Sequence, residues 1–522
     1  MTLRRQERMS AVPDPGPCFI TTPIYYVNDR PHIGHAYTTL AADVLARWRR
    51  LEGREVFFLT GTDEHGQKVE KAARDAGMDP QEFCDQVSQH FRDLVATMGF
   101  SIDDFIRTTE PRHKAACAAL WEELARRGEI YLGDYEGWYA VRDEAFYGPD
   151  ELVERDGVKY APSGAPVEWV REPSYFFRLS KWQEPLLKFY EENPDFILPA
   201  SRRNEVIAFV KSGLGDLSVS RTSFRWGVPV PGDDAHVMYV WLDALTNYIT
   251  AAGYPSDQAS FGKWWPNEIH FVGKDILRFH AIYWPAFLKA AGIAPPGRVF
   301  AHGWWTNEGQ KISKSLGNVI DPVALVAEYG LDPVRYFLLR EVPFGQDGDF
   351  ARRALILRNN GELADALGNL ANRTLSLIGR NCEGKLPDPA AAAEPDREMV
   401  AGVAGLRGAV ARHLDRQEFH LALEAIMAQV RAANGYVTVQ QPWALKKTDP
   451  VRMAVVLRHL HDALRTFATV LQPFMPGTMA RLLDQLGVPQ EARGLDDLGT
   501  PLPGGLALPP PEPLFRKIEQ AA

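Results

Sequence analysis

The chain has 522 residues, of which 45% are hydrophobic and 24% charged. It is too long for one hydrophobic core and too apolar to stay disordered, so several packed domains are expected. A formal net charge of −9 argues against a non-specific nucleic-acid binder, although it leaves room for a local basic face.

No apolar run reaches the roughly 18 residues of a membrane span. The first residues, MTLRRQERMSAVPDPGP, are basic but lack the apolar segment of a secretory signal. Residues 1–16 are therefore expected to form a disordered leader, with Met9 as a candidate alternative start. Cys18, Cys84, Cys117 and Cys382 form no Cys-x-x-Cys pair, so neither a zinc knuckle nor a disulfide framework is expected. A reducing cytoplasmic location fits that cysteine usage.

Taken in order, Phe19–Ile20 with Thr21 and Thr22 reads as a buried strand. Pro23 and the Asn28-Asp29-Arg30-Pro31 cluster then break regular structure. A helix is expected from Ala36 to Glu52 and a buried strand from Arg54 to Thr60. Asp63 follows at the carboxyl end of that strand, where open α/β sheets bind ligands. It is a candidate for an ammonium group and equally a helix N-cap. Helices are expected at 79–98 and 108–128.

From Tyr131 to about Thr222 short strands and turns replace the βαβ alternation, with helices at 182–191 and 201–212. This reads as an inserted α+β subdomain. The sheet pattern returns at His236, as a strand running into a helix that ends near Tyr248. Strands follow at Glu268–Gly273 and Arg298–His302. Glu308-Gly309 turns into a loop, Lys311-Ile312-Ser313-Lys314-Ser315. After Arg352 helix-period apolar residues at 359–378, 397–414, 418–439 and 451–471 predict a helix bundle, and 501–522 is a Pro-rich extended tail.

Two segments carry chemistry. His32-Ile33-Gly34-His35 lies where a strand hands over to a helix, and free amides at a helix N-terminus attract phosphate. Gly34 lacks a side chain, which would let a nucleotide approach the backbone. Far downstream, Lys311 and Lys314 sit in a loop of small polar residues, from which a lysine reaches polyphosphate as a point charge. Alone, a His-x-x-His is more often a surface turn or a metal pair. The two segments together, in this order, resemble the paired signature of class I aminoacyl-tRNA synthetases.

Three further segments narrow the resemblance to the methionyl-tRNA synthetase family. They are Pro23-Ile-Tyr-Tyr-Val-Asn, Tyr239-Val-Trp-Leu-Asp-Ala with Tyr248, and Phe271-Val-Gly-Lys-Asp-Ile with His280. Pro442-Trp443 in the helical part extends it, and the match spans roughly residues 17–517. It implies a Rossmann-type catalytic domain in two halves, 17–130 and 223–300, split by a connective insertion at 131–222. A lysine-loop and stem-contact region at 301–355 and a helical anticodon-binding domain at 356–500 complete the expectation.

The resemblance also implies site residues. Ile24, Tyr26, Asp63, Trp241, Ala244, Tyr248, Ile276 and His280 match the methionine pocket, with Asp63 toward the ammonium and His280 as a weak donor toward sulfur. Aromatic walls suit a thioether, at ~0.3–1.5 kcal/mol per contact; on spacing alone, Trp241 and Tyr248 fit ordinary core. His32, Gly34, His35, Gly273, Asp275 and Lys314 match the ATP site. His32, His35, Lys311 and Lys314 are the expected catalytic group. Asn369, Arg373, Pro442 and Trp443 match the anticodon readers, although on spacing Asn369 and Arg373 fit a solvated helix face.

The implied partners are L-methionine, ATP as its Mg²⁺ complex and tRNA(Met), with no membrane and a monomeric state. The insertion leaves no room for the editing domain of the leucine, isoleucine and valine enzymes. Many family members hold zinc in this insertion through Cys-x-x-Cys pairs. Here the matching loop, Tyr160-Ala-Pro-Ser-Gly164, has no such ligands, so a zinc-free variant with Tyr and Trp packing is expected and no metal ligand is assigned. Two other classes are a nucleotidyltransferase of small molecules and a non-catalytic tRNA binder. The bundle with Trp443 argues against the first, and the intact His32, His35, Lys311 and Lys314 against the second.

Overall fold

A computed structural model of the chain describes residues 16–27, 30–143, 145–312 and 318–519. Six parallel strands form its main sheet: β1 (Cys18–Tyr26), β2 (Val56–Asp63), β3 (Asp104–Arg107), β4 (Ile197–Leu198), β5 (Ile269–Gly273) and β6 (Val299–His302). Their order is β3-β2-β1-β5-β6-β4. Apolar runs such as Phe271-Val272 and Val299-Phe300-Ala301 are buried, as expected for a parallel sheet covered on both faces.

The chain leaves β1 toward β2 on one side and returns as β5 on the other. The carboxyl ends of β1 and β5 therefore flank a switch point, where such sheets bind ligands. Pro23 sharpens it. Pairing of β1 with β5 is confined to Ile20–Thr21, while pairing with β2 continues to Tyr26 after an irregularity between Thr21 and Ile24. Pro23 has no N–H to give a ladder. It does not end the strand, as the sequence suggested, but sits within it where β1 and β5 part.

Helix α1 (Ile33–Leu51) follows β1 and is buried continuously from Ala36 to Ala46. A helix buried all round needs cover on every side. The sheet gives one side, and the C-terminal helices join the same hydrophobic cluster on the other. Arg335, on α4 (Leu331–Arg340), pins that junction. Fully buried, it reaches Asp43 Oδ2 of α1 at 2.7 Å and donates to the carbonyls of Met98, Pro473 and Phe474. Two helices that precede α4 matter below: α2 (Pro111–Arg126) and α3 (Val240–Leu245).

The region expected as one insertion is divided. Its own antiparallel sheet joins Ile130–Ala140, Ala145–Tyr147, Glu168–Phe177 and Leu217–Ser218. Between its two helices, Gln183–Glu192 and Ala200–Lys211, strand β4 pairs with β6 in the main sheet instead. A two-residue strand carries no periodicity to read.

The remainder is a helix bundle containing α5 (Asn369–Asn381), α6 (Phe419–Gln440), α7 (Pro442–Thr448) and α8 (Pro450–Leu471). The helix expected at 359–378 begins as a π-helical stretch, Asn359–Gly368, and the one at 397–414 is interrupted at Gly405. The tail runs extended but docks: Leu502 and Leu514 are buried, and Asn359 and Asn360 donate to the carbonyls of Arg516 and Ile518.

Candidate functional site

The His32–His35 segment caps α1. Gly34 N–H donates to His32 Nδ1 at 3.1 Å, and His32 N–H donates to His35 Nδ1 at 3.0 Å. Two of the amides left open at a helix start are thus satisfied by imidazoles. With Nδ1 accepting, the neutral tautomer of each ring carries its proton on Nε2. Burial lowers the pKa of His32, with Asp275 pulling the other way; burial and then the neighbouring His32 hold His35 well below the usual range. Both rings are therefore neutral N–H donors.

Gly34 has a task beyond the one expected. A Cβ there would meet His32 Cε1 at 2.9 Å and Nδ1 at 3.1 Å, so the missing side chain makes room for the His32 ring. Gly273 behaves likewise, since its Cβ would lie 2.5 Å from Asp275 Oδ1. That carboxylate accepts from Trp304 Nε1 at 3.1 Å.

One cavity of about 340 Å³ at the strand ends is lined by every expected methionine- and nucleotide-site residue that the structure describes. Tyr26 ends β1, Asp63 ends β2 and Gly273 ends β5; α3 supplies Trp241 and Ala244. Trp241 stacks on Phe279 with ring centroids 3.3 Å apart. Tyr248 and His280 are buried together. His280 Nδ1–H donates to Ile276 O at 3.0 Å, and its Nε2 accepts from Tyr248 OH at 2.7 Å. Burial lowers its pKa to about 4, so the ring is neutral and both nitrogens are engaged. The weak donor expected from His280 toward sulfur is not available in this arrangement, because its one N–H is spent on Ile276.

A second cavity, about 370 Å³, shares His32, Gly34, His302 and Trp304 with the first and is walled by Ile33, Tyr37, Trp305 and Ile312. His302 was not foreseen, although its place at the end of β6 obeys the strand-end rule. Its Nδ1–H donates to Gly303 O, and its Nε2 lies 2.6 Å from the Thr38 hydroxyl. Trp304 also went unrecognised, as did Phe279.

The lysine loop springs from a hairpin in which Trp305–Asn307 pairs with Gln310–Lys311. Its turn residues, Glu308 and Gly309, have φ of 50° and 77°, a left-handed pair that glycine eases. The backbone of Lys311 is in that hairpin; Lys314 lies outside the described residues.

In the bundle, Asn369 and Arg373 lie on α5, and Pro442 and Trp443 open α7, which packs on α8 and touches α5. Gln441, at φ 46°, turns the chain between α6 and α7. Trp443 is 47% exposed, large for an indole with no packing task. Arg373 Nη2 donates to Asn434 Oδ1 at 3.1 Å.

The loop at 160–164 closes over a small apolar cluster of Ala140, Ala161, Ala165 and Val167, with Trp138 and Tyr147 packed against it. Elsewhere, His113, Cys117 and Asp243 come together in the core. His113 Nε2 and Asp243 Oδ1 are 2.7 Å apart, a direct hydrogen bond that leaves no space for an ion between them.

The family model described as tRNA synthetases class I (M) matches residues 18–375, and that of the anticodon binding domain of methionyl tRNA ligase matches 386–522. Methionine–tRNA ligase of Rickettsia bellii is 59% identical over 481 residues, 91% of this chain and 93% of that protein. The Brucella suis protein of the same name is 54% identical over 96% of this chain and 98% of its own. Mycobacterium tuberculosis methionyl-tRNA synthetase in complex with methionyl-adenylate superposes with a TM-score of 0.94 at 48% identity, over 96% of this chain and 99% of that one. Fold and site together define a class I aminoacyl-tRNA synthetase. Within that class, the chain belongs to the methionyl-tRNA synthetase family.

Proposed function

We propose that this chain joins L-methionine to tRNA(Met) in two steps, through methionyl-adenylate. The observation that carries the reading is the single cavity in which an aromatic pocket and the buried Asp63 carboxylate meet two neutral imidazole donors at a helix N-terminus. Asp63 takes the substrate ammonium. Tyr26, Trp241, Ala244, Tyr248, Ile24, Ile276 and His280 enclose the thioether. ATP, entering as its Mg²⁺ complex, lays its adenosine in the adjoining cavity beside Gly34, His302 and Trp304.

In the first step a methionine carboxylate oxygen bonds to the α-phosphorus. The bond from that phosphorus to the bridging oxygen breaks, and pyrophosphate leaves with the electron pair. In the second, the terminal adenosine hydroxyl of tRNA attacks the acyl carbon and AMP leaves. No protein nucleophile is needed; positioning and charge stabilisation suffice. His32 and His35 supply Nε2–H donors to phosphoryl oxygens. Lys311 and Lys314 bring charge to the pyrophosphate, and a well-placed donor of this kind is worth about 2.7–4 kcal/mol at the transition state.

Trp443 stacks on an anticodon base behind Pro442, with Asn369 and Arg373 reading edges. The insertion works without zinc, which its small apolar cluster supports. The chain acts as a cytoplasmic monomer; no helix among the described residues is long and apolar enough to cross a membrane. Methionine-dependent ATP–pyrophosphate exchange, run after chelator treatment with Mg²⁺ restored, tests the reading. Exchange with methionine and no bound zinc is expected. Exchange driven by another amino acid would refute the pocket assignment.

A further inference from the structure

Behind the cavity lies a polar chain that the two-step reaction does not use. Asp243, fully buried on α3, places Oδ2 2.7 Å from His65 Nδ1 and Oδ1 2.7 Å from His113 Nε2. His113 is itself fully buried on α2, and Cys117 Sγ lies 3.2 Å from its Nε2. Burial alone would push the Asp243 carboxyl up. His65 and His113 reverse that and hold it below the usual carboxylate range, so it is an anion shared between two imidazoles.

Pocket residues lie within two positions of both His65 and Asp243. His65 follows Asp63 by two positions, and its carbonyl accepts from Tyr26 OH at 2.9 Å. Asp243 shares its short helix with Trp241, two positions before it, and Ala244, next to it. Helix α3 has only six residues, too few to hold its own conformation. The His65–Asp243 bond is therefore a direct tie between the wall carrying Asp63 and Tyr26 and the wall carrying Trp241 and Ala244. The His113 bond anchors that tie to α2. Neither bond reaches the second cavity.

We propose that Asp243 is a positioning residue for methionine: by bridging His65 and His113 it sets the separation between the ammonium-binding and thioether-binding walls. The proposal rests on the reading of the cavity as the methionine site. A residue that merely supports the fold would weaken both substrates together. This one acts on methionine alone, because the residues assigned to ATP lie on α1, at the ends of β5 and β6 and just beyond, rather than on α3.

The test is pyrophosphate exchange on the full chain, with methionine varied at saturating MgATP and the reverse, beside thermal unfolding. His65→Ala is expected to raise the methionine KM about tenfold, the scale of one buried polar group left unpaired, with the ATP KM within about twofold. His65→Asn keeps a donor near the Nδ1 position and restores most of the loss. A folded His65→Ala with unchanged methionine KM, or with both KM values raised in step, overturns the proposal. Should His65→Ala not fold, Asp243→Asn carries the same comparison: it keeps the shape but loses one acceptor, and an unchanged methionine KM overturns the proposal equally. Wild-type protein with no methionine-dependent exchange would instead sink the reading of the site itself.

Discussion

Tyr248→Phe isolates one hydrogen bond in the proposed methionine pocket. The Tyr248 ring is 1% exposed and packs on His270 at 4.0 Å and on Trp284 at 6.1 Å between centroids. Phenylalanine keeps those contacts and removes only the hydroxyl. That hydroxyl is the donor to His280 Nε2 at 2.7 Å. The imidazole cannot answer by changing tautomer, because its Nδ1–H is held by Ile276 O. The variant thus leaves a buried acceptor unpaired, which costs about 1–3 kcal/mol. A thioether has no proton to offer, so methionine binding does not repair the loss. If the cost falls on the ordered pocket, the methionine KM in pyrophosphate exchange rises by a factor of about 5 to 150, at 1.4 kcal/mol per tenfold. The ATP KM stays within about twofold, since the second cavity does not include Tyr248. A methionine KM within twofold of wild type, in a variant of unchanged thermal stability, would refute the reasoning.

Three other outcomes are expected. Gly34→Ala brings a Cβ within 2.9 Å of the His32 ring; the ring swings aside, the fold survives, and kcat of exchange drops about a hundredfold, the usual penalty for an ångström-scale misplacement. Unchanged kcat would show that the His32 cap is dispensable. Trp443→Ala should leave exchange intact while weakening tRNA in aminoacylation by about 1–3 kcal/mol, the worth of one stacked base; equal loss in both assays would place Trp443 in the fold rather than the interface. Stability should fall as pH drops from about 6.5. His35, His270 and His280 are held neutral by burial, whereas the unfolded chain protonates them near 6.5. The unfolded state therefore binds more protons, and each such histidine removes about 1.4 kcal/mol per pH unit. For His280 the loss continues down to about 4. Urea midpoints at pH 7.5, 6.5 and 5.5 measure it, and a flat profile would contradict the buried neutral assignment.

Legibility in the sequence tracked the range of the interactions. His32, Gly34 and His35 are contiguous, and a strand-to-helix junction with two imidazoles needs no distant information to be noticed. Yet Gly34 has a second role that its neighbours in sequence do not reveal. Local sequence shows a residue without a side chain; it does not show that the neighbouring His32 ring folds back into that space. Pro23 was similarly visible as a breaker, but its effect depends on β5, which lies more than two hundred positions away, parting from β1 at that point. The donor assigned to His280 failed for the same reason, because Tyr248 and Ile276 had to be seen together before its nitrogens could be counted.

The sequence by itself determined the class of fold, through hydrophobic periodicity, and, through the family resemblance its short motifs carry, which residues to expect around one cavity. Periodicity and motifs are properties of neighbouring residues. Only the tertiary structure decided that β4 belongs to the main sheet, that Arg335 locks α1 to the bundle, and that Asp243 ties His65 to His113. In that last case the partners are 178 and 130 positions away. Each of these depends on polar groups that meet only after non-local packing has excluded water, and in that dry interior a hydrogen bond left unmade is costly enough to fix which groups must face each other.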